Sequence, residues 1–155
     1  MSTVELKNVK FFPTMSEETP CFQASVYIDG ERIGEASNRG YGGMTDVHPN
    51  TAEQVVAKIA IAQGLAGADE LIDNLFSEWE IKTELTKLLK KRVVFINGEG
   101  EVSATKPYPT AILAEILKRP NLKALLNTKT VLNLLEFTEA LSVYTEKTTS
   151  TTATN

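Results

Sequence analysis

Hydrophobic and polar residues alternate most cleanly over residues 21–28, CFQASVYI, with Phe22, Ala24, Val26 and Ile28 on one face and Gln23, Ser25 and Tyr27 on the other. A period of two marks a strand with one buried side. Residues 4–12, VELKNVKFF, alternate less strictly and predict an earlier strand that Pro13 stops. After residues 21–28 comes Asp29-Gly30, a dipeptide suited to the positive φ angles of a tight hairpin, and ERIGEAS reads as the returning strand. A strict two-residue loop pairs Val26 with Ile33 but also Ile28 with Glu31, so a longer or bulged turn fits as well.

The period then changes to that of helices. Ala52, Val55, Val56, Ile59, Ala60 and Gln63 share one stripe, with Asn50 or Thr51 as the cap and Thr51-Ala-Glu-Gln54 in capping-box spacing. Gly64 and Gly67 interrupt it, and a longer helix is predicted from Ala68 to about Lys91. Asp69 and Glu70 at its start and Lys87, Lys90 and Lys91 near its end suit the helix dipole. Leu71, Ile72, Leu75, Phe76, Trp79, Leu85, Leu88 and Leu89 form its apolar stripe, enough to cover one side of a sheet.

Residues 92–96, RVVFI, predict a strand of the fully buried kind, Asn97-Gly98 a hairpin turn, and EVSATK the return. Pro109 suits the first position of a helix through TAILAEILKR, which Pro120 ends. Beyond it KALL reads as helix, residues 129–132 as a short strand and residues 134–146 as a final helix, with a disordered threonine-rich tail at 147–155. The expectation is a single α+β domain over residues 1–146. Two β-hairpins and an extra strand would form a mainly antiparallel sheet, packed by about four helices.

Composition narrows the function classes. A hydrophobic fraction of 42% and a charged fraction of 23% are those of a globular protein. No apolar run approaches the roughly 20 residues needed to cross a bilayer, and MSTVELKNVK lacks a signal peptide's apolar centre, so a cytoplasmic location without membrane attachment is expected. The net charge of −4 argues against nucleic acid as a general ligand. Unpaired hairpin edges leave homo-oligomer formation open.

The densest candidate chemistry lies between the second strand pair and the first helix, in SNRGYGGMTDVHPN, residues 37–50. Asn38, Arg39, Gly40, Tyr41, Gly42, Gly43, Asp46 and His48 are its candidate binding residues. Glycines free the backbone and expose N–H groups, a helix start follows, and Arg39 adds a cation, so a phosphate could seat there. The spacing N-x-G-x-G-G nevertheless matches neither dinucleotide nor P-loop patterns, and a structural bend or partner-binding loop is the favoured reading of it. Tyr27, Tyr41, Phe22 and Arg39 lie on both strand faces and make no single stacking platform.

Reaction chemistry has little to work with. The chain has one histidine and one cysteine, whereas a structural zinc site takes four ligands, so no metal site and no cofactor is expected. His48 before Pro49 reads as a corner residue, and Cys21 as a small apolar filler with no activating partner. No catalytic residue is assigned.

The run SEETPCFQASVYIDGERIGEASNRGYGG, residues 16–43, followed by His48-Pro49, resembles small uncharacterised proteins encoded by bacteriophages and prophages. The resemblance implies an accessory protein of phage infection in the host cytoplasm, and it carries no site residue or activity with it. Two functions follow as expectations. One is a non-enzymatic interaction or inhibitor module for host takeover, using residues 38–49 and the exposed hairpin face against a host protein. The other is a module for a nucleotide or phosphorylated small molecule at the Gly-rich 38–43 loop, with Arg39 as anion donor and Tyr41 as a stacking wall.

Overall fold

The structure is a computed structural model that describes residues 2–153, with side chains through residue 148. The stretch expected as one domain divides into two compact units, Met1–Trp79 and Glu80–Asn155. Among the described residues the fold is α+β, with a four-stranded antiparallel sheet, a separate two-stranded sheet and five α-helices.

In the first unit the strands β1 (Val4–Phe11), β2 (Cys21–Ile28), β3 (Glu31–Arg39) and β4 (Asp46–His48) lie in chain order across the sheet. The turn between β2 and β3 is the two-residue one, with Asp29 at φ 51° and Gly30 at φ 87°, and Ile28 pairs with Glu31. A bulge follows at once: Tyr27 pairs with Arg32 but Val26 with Gly34, leaving Ile33 as the extra residue. The physical reason is the side-chain phase. Without the bulge Glu35 and Ser37 would fall on the core side; with it Ala36 turns inward and is fully buried while Glu35 is exposed. A second bulge, between Lys7 and Lys10 of β1 with Asn8 at φ 54°, does the same for the edge strand. It keeps Lys10 outward beside Gln23 and lets Phe11 join Phe22 on the inner face.

Helix α1 (Asn50–Ala62) and the start of helix α2 (Ala68–Lys91) cover that inner face. The expected capping box does not form. Pro49, after a cis His48–Pro49 peptide, is the N-cap, and its carbonyl accepts the amides of Ala52 and Glu53. Of the α1 stripe, Ala52, Val56 and Ala60 are buried and Val55 is exposed. From α2, Leu71, Ile72 and Phe76 enter the core. Phe76 stacks on Phe22 at 4.3 Å between centroids and meets Phe11 edge-on at 5.3 Å. Such aromatic pairs add to burial and fix the helix against the sheet.

Gly34 sets how closely β4 and α1 approach. A Cβ there would overlap the His48 carbonyl oxygen and lie 3.0 Å from the Ala52 Cβ.

The second unit receives the rest of α2, whose Leu85 packs with Val94, Leu132, Ala140 and Tyr144. Strands β5 (Val94–Ile96) and β6 (Val102–Ala104) form its hairpin. Val93 faces one apolar cluster, with Leu113, Leu122 and Val131, while Val94 faces the other, as a strand buried on both sides requires. The turn is not a two-residue Asn-Gly one. It runs from Asn97 to Glu101, whose carbonyl accepts the Asn97 amide, with Gly100 carrying the positive φ of 80°.

Helices α3 (Thr110–Leu117) and α4 (Leu122–Leu125) follow, with Pro109 capping α3 from just outside its first residue. The strand expected at 129–132 reduces to a single bridge between Val131 and Phe95, followed by a 3-10 turn at Leu132–Leu134. Asn133 explains why. Its amide oxygen accepts the Val94 N–H, and its Nδ2 donates to the Arg92 carbonyl, occupying with one side chain what a longer ladder would supply. Helix α5 (Phe137–Ala153) starts later and runs further than the expected 134–146. It enters the stretch expected to be disordered; residues 154–155 and the side chains from 149 onward lie outside the described residues.

Candidate functional site

The glycine-rich segment closes a third hairpin. Residues 37–39 complete β3, and Asp46–His48 form β4, which pairs Ser37 with Asp46, Ala36 with Val47 and Glu35 with His48. Val47 is in the core, so Asp46 and His48 point to the outer face of the sheet with Ser37 and Glu35.

Asn38 holds this corner from the inner side. It is only 8% exposed. Its Oδ1 accepts the Gly40 amide at 2.8 Å and the Thr19 hydroxyl at 2.7 Å, while its Nδ2 donates to the Gly43 carbonyl at 3.0 Å and to Thr45 Oγ1 at 3.2 Å. The Thr45 hydroxyl in turn donates to the Asp73 carboxylate on α2. Burial raises the Asp73 carboxyl above its ordinary range and Asp69 adds to this, while the Thr45 hydrogen bond opposes it. One asparagine thus ties the acidic turn, both arms of the hairpin and, through Thr45, a helix into a single network.

Part of the turn's backbone is held in the same way. The Gly40 carbonyl accepts the amides of Glu17 and Glu18 at 3.0 and 2.9 Å, and the Gly42 amide donates to Thr19 Oγ1 at 3.3 Å. Gly40 has φ 90°, and a Cβ there would overlap the Met15 carbonyl oxygen, so both its torsion and its surroundings require glycine. The amides of Gly40 and Gly42, which a phosphate cradle would need, donate to Asn38 and Thr19.

The outer side differs. Tyr41 is 61% exposed and Met44 74% exposed. Next to Tyr41 opens a cleft of about 440 Å³ with Phe12, Met15, Cys21, Gln23, Ser37 and Arg39 among its lining. Phe12 and Met15 belong to the connection from β1 to β2. There Pro13–Met15 form a 3-10 turn, and the Ser16 hydroxyl donates to the Phe12 carbonyl and accepts the Cys21 amide. Arg39 pairs with Cys21 across β2 and β3, and its guanidinium has no ion pair among the described residues.

Of the predicted binding residues, Asn38, Arg39 and Tyr41 are among the lining of this cleft. Gly40, Gly42 and Gly43 shape the corner, and Asp46 and His48 stand outside the lining. Sequence reasoning did not name Phe12 or Met15, and it covered Met44 only within the 38–49 contact stretch. The available signal was a phenylalanine, two methionines and a tyrosine in segments otherwise built of turn formers. Cys21 is buried and its thiol is in no disulfide. Phe22 belongs to the core, and Tyr27 lies on the outer face with the Lys7 ammonium 4.5 Å from its ring centroid.

Among the described residues no group of three or more His, Cys, Asp or Glu side chains converges, and no helix is long and apolar enough to cross a membrane. Comparison of the chain with family models, curated proteins and solved structures finds no match in any of the three.

Proposed function

We propose that the chain is a non-enzymatic interaction module whose contact is the β3–β4 corner, with Tyr41 and Met44 at its tip and the adjoining cleft beside it. The observation that carries this reading is the division of the corner into two sides. The amides of Gly40 and Gly42 and the carbonyl of Gly43 bond internally to Asn38 and Thr19, while the large side chains Tyr41 and Met44 are left 61% and 74% exposed. Aromatic, methionine and arginine side chains on a rigid support are what protein interfaces concentrate at their centres. The anion-binding alternative loses two of its donors, since the Gly40 and Gly42 amides already donate within the protein. The resemblance of residues 16–43 to phage-encoded proteins supports a host protein as the partner, met in the host cytoplasm.

A photo-crosslinking phenylalanine at position 41 tests this, with the same probe at the exposed position 99 as control. Position 41 is expected to capture one host protein that position 99 does not. Purified, that protein should lose at least about tenfold in affinity with Tyr41→Ala, as a hot-spot residue does. Equal capture at both positions, or unchanged affinity, contradicts the reading.

A further inference from the structure

We propose that the cleft beside Tyr41 seats one apolar side chain of a partner protein segment and that Arg39 binds a carboxylate adjoining that side chain. The inference rests on the interaction reading above and names the chemistry of the partner. The cleft's volume, about 440 Å³, falls within the roughly 300–1,000 Å³ of small-molecule pockets, which leaves room for a phenylalanine- or leucine-sized group. Phe12, Met15 and Tyr41 supply apolar walls, and the two flexible bonds beyond a methionine's Cβ let such a wall adapt to the shape it receives.

Charge selects what lies beside that apolar group. Arg39 is the one charged residue in the lining, and among the described residues it has no ion-pair partner. The Glu18 carboxylate lies against Gly42, outside the lining, and forms no ion pair with Arg39. A planar guanidinium matches a carboxylate with two parallel hydrogen bonds, and its stem is held where β3 pairs with β2. A nucleic acid is disfavoured by the same accounting: phosphate backbones are held by several cations, whereas this cleft offers one and the chain carries a net −4.

The test is a titration of the full chain followed by backbone amide NMR at millimolar probe. The probes are N-acetylphenylalanine, its neutral C-terminal amide, N-acetylglycine and uridine monophosphate. N-acetylphenylalanine should shift the amides of Phe12, Met15, Cys21, Arg39 and Tyr41 and bind roughly two- to fivefold tighter than its amide, the range of an exposed ion pair. Arg39→Gln should abolish that preference while keeping the weaker apolar binding, and Tyr41→Ala should weaken both phenylalanine probes.

Equal binding of acid and amide, binding of N-acetylglycine as strong as that of N-acetylphenylalanine, a stronger response to uridine monophosphate, or no shift at these amides would each overturn the proposal. The two readings fail separately. If these probes fail but Tyr41→Ala still weakens a captured partner, the corner is a contact with different chemistry; if neither holds, the interaction reading falls with it.

Discussion

Two glycine-containing hairpin turns in this protein are each organised by one asparagine, and the two asparagines do different work. Asn97 serves its own turn: its Oδ1 accepts the Glu99 and Glu101 amides and its Nδ2 donates to Ser103, all within six residues. Asn38 reaches across the fold, from Thr19 to Thr45, and through Thr45 to Asp73 on α2. The first turn displays Glu99 and Glu101 to solvent, whereas the second displays Tyr41 and Met44. An Asx turn is therefore a local device in one place and a tertiary anchor in the other. Of these two turns, only the anchored corner holds large apolar groups in water.

Substitutions separate the two turns, and the largest effect is expected at the base of the anchored hairpin. Gly34→Ala should destabilise by about 3 kcal/mol or more, because its Cβ meets the His48 backbone rather than a side chain that can swing away. Gly98→Ala in the other hairpin, whose Cβ would meet only Asn127 at 3.8 Å, should change stability by less than about 0.5 kcal/mol. Urea unfolding of the two variants gives the contrast directly, and equal losses would remove the distinction between the turns.

Next in size is Asn38→Ala, expected to lose about 3 kcal/mol by leaving buried donors and acceptors unmatched, against about 1 kcal/mol for Asn97→Ala, whose partners can turn to water. Tyr41→Ala is expected to leave stability within about 0.5 kcal/mol of the parent while abolishing most partner binding. Calorimetric melting alongside the crosslinking experiment separates those two readouts.

The smallest effect is one of pH. Asp73 is easier to protonate in the folded chain than in the unfolded one, because burial raises its carboxyl. Between the two values the native state binds more protons. The Asp73 contribution to stability therefore grows as pH falls through the folded value and is complete below the unfolded one. Asp73→Asn should remove that part of the slope, and a parent and variant with superimposable stability–pH curves would show that the carboxyl is not perturbed.

These contrasts also mark what the sequence could disclose. Strand β2 and helix α2 have the bounds their patterns predict, because alternation over eight residues and a 3.6 period over many turns are local signals strong enough to stand alone. The Asp29-Gly30 turn was legible for the same reason, and so was the ambiguity it left. Its resolution by a bulge depended on which of Glu35 and Ala36 faces the core, a tertiary fact.

Strand β4 was hidden in the glycine-rich loop since three residues show no period; it exists because β3 extends far enough to pair with it. In the opposite direction, the apolar run at 129–132 looked like a strand but yields one bridge, because Asn133 satisfies the backbone it would have met. At the candidate site the residues of the loop were visible and their division of labour was not. Asn38 was grouped with potential ligands, yet it is the corner's internal fastening. Phe12 and Met15 lie some thirty residues from Tyr41 in sequence and reach the same cleft only through the β1–β2 connection.

The most direct measurement is amide hydrogen exchange at Gly40, followed by NMR in the parent and in Asn38→Ala, each with and without added phosphate. The account predicts a protected Gly40 amide in the parent that becomes exchangeable in Asn38→Ala and that phosphate leaves unmoved in both. An amide that exchanges freely in the parent, or that phosphate protects and shifts, would contradict it and return the corner to the anion-binding reading.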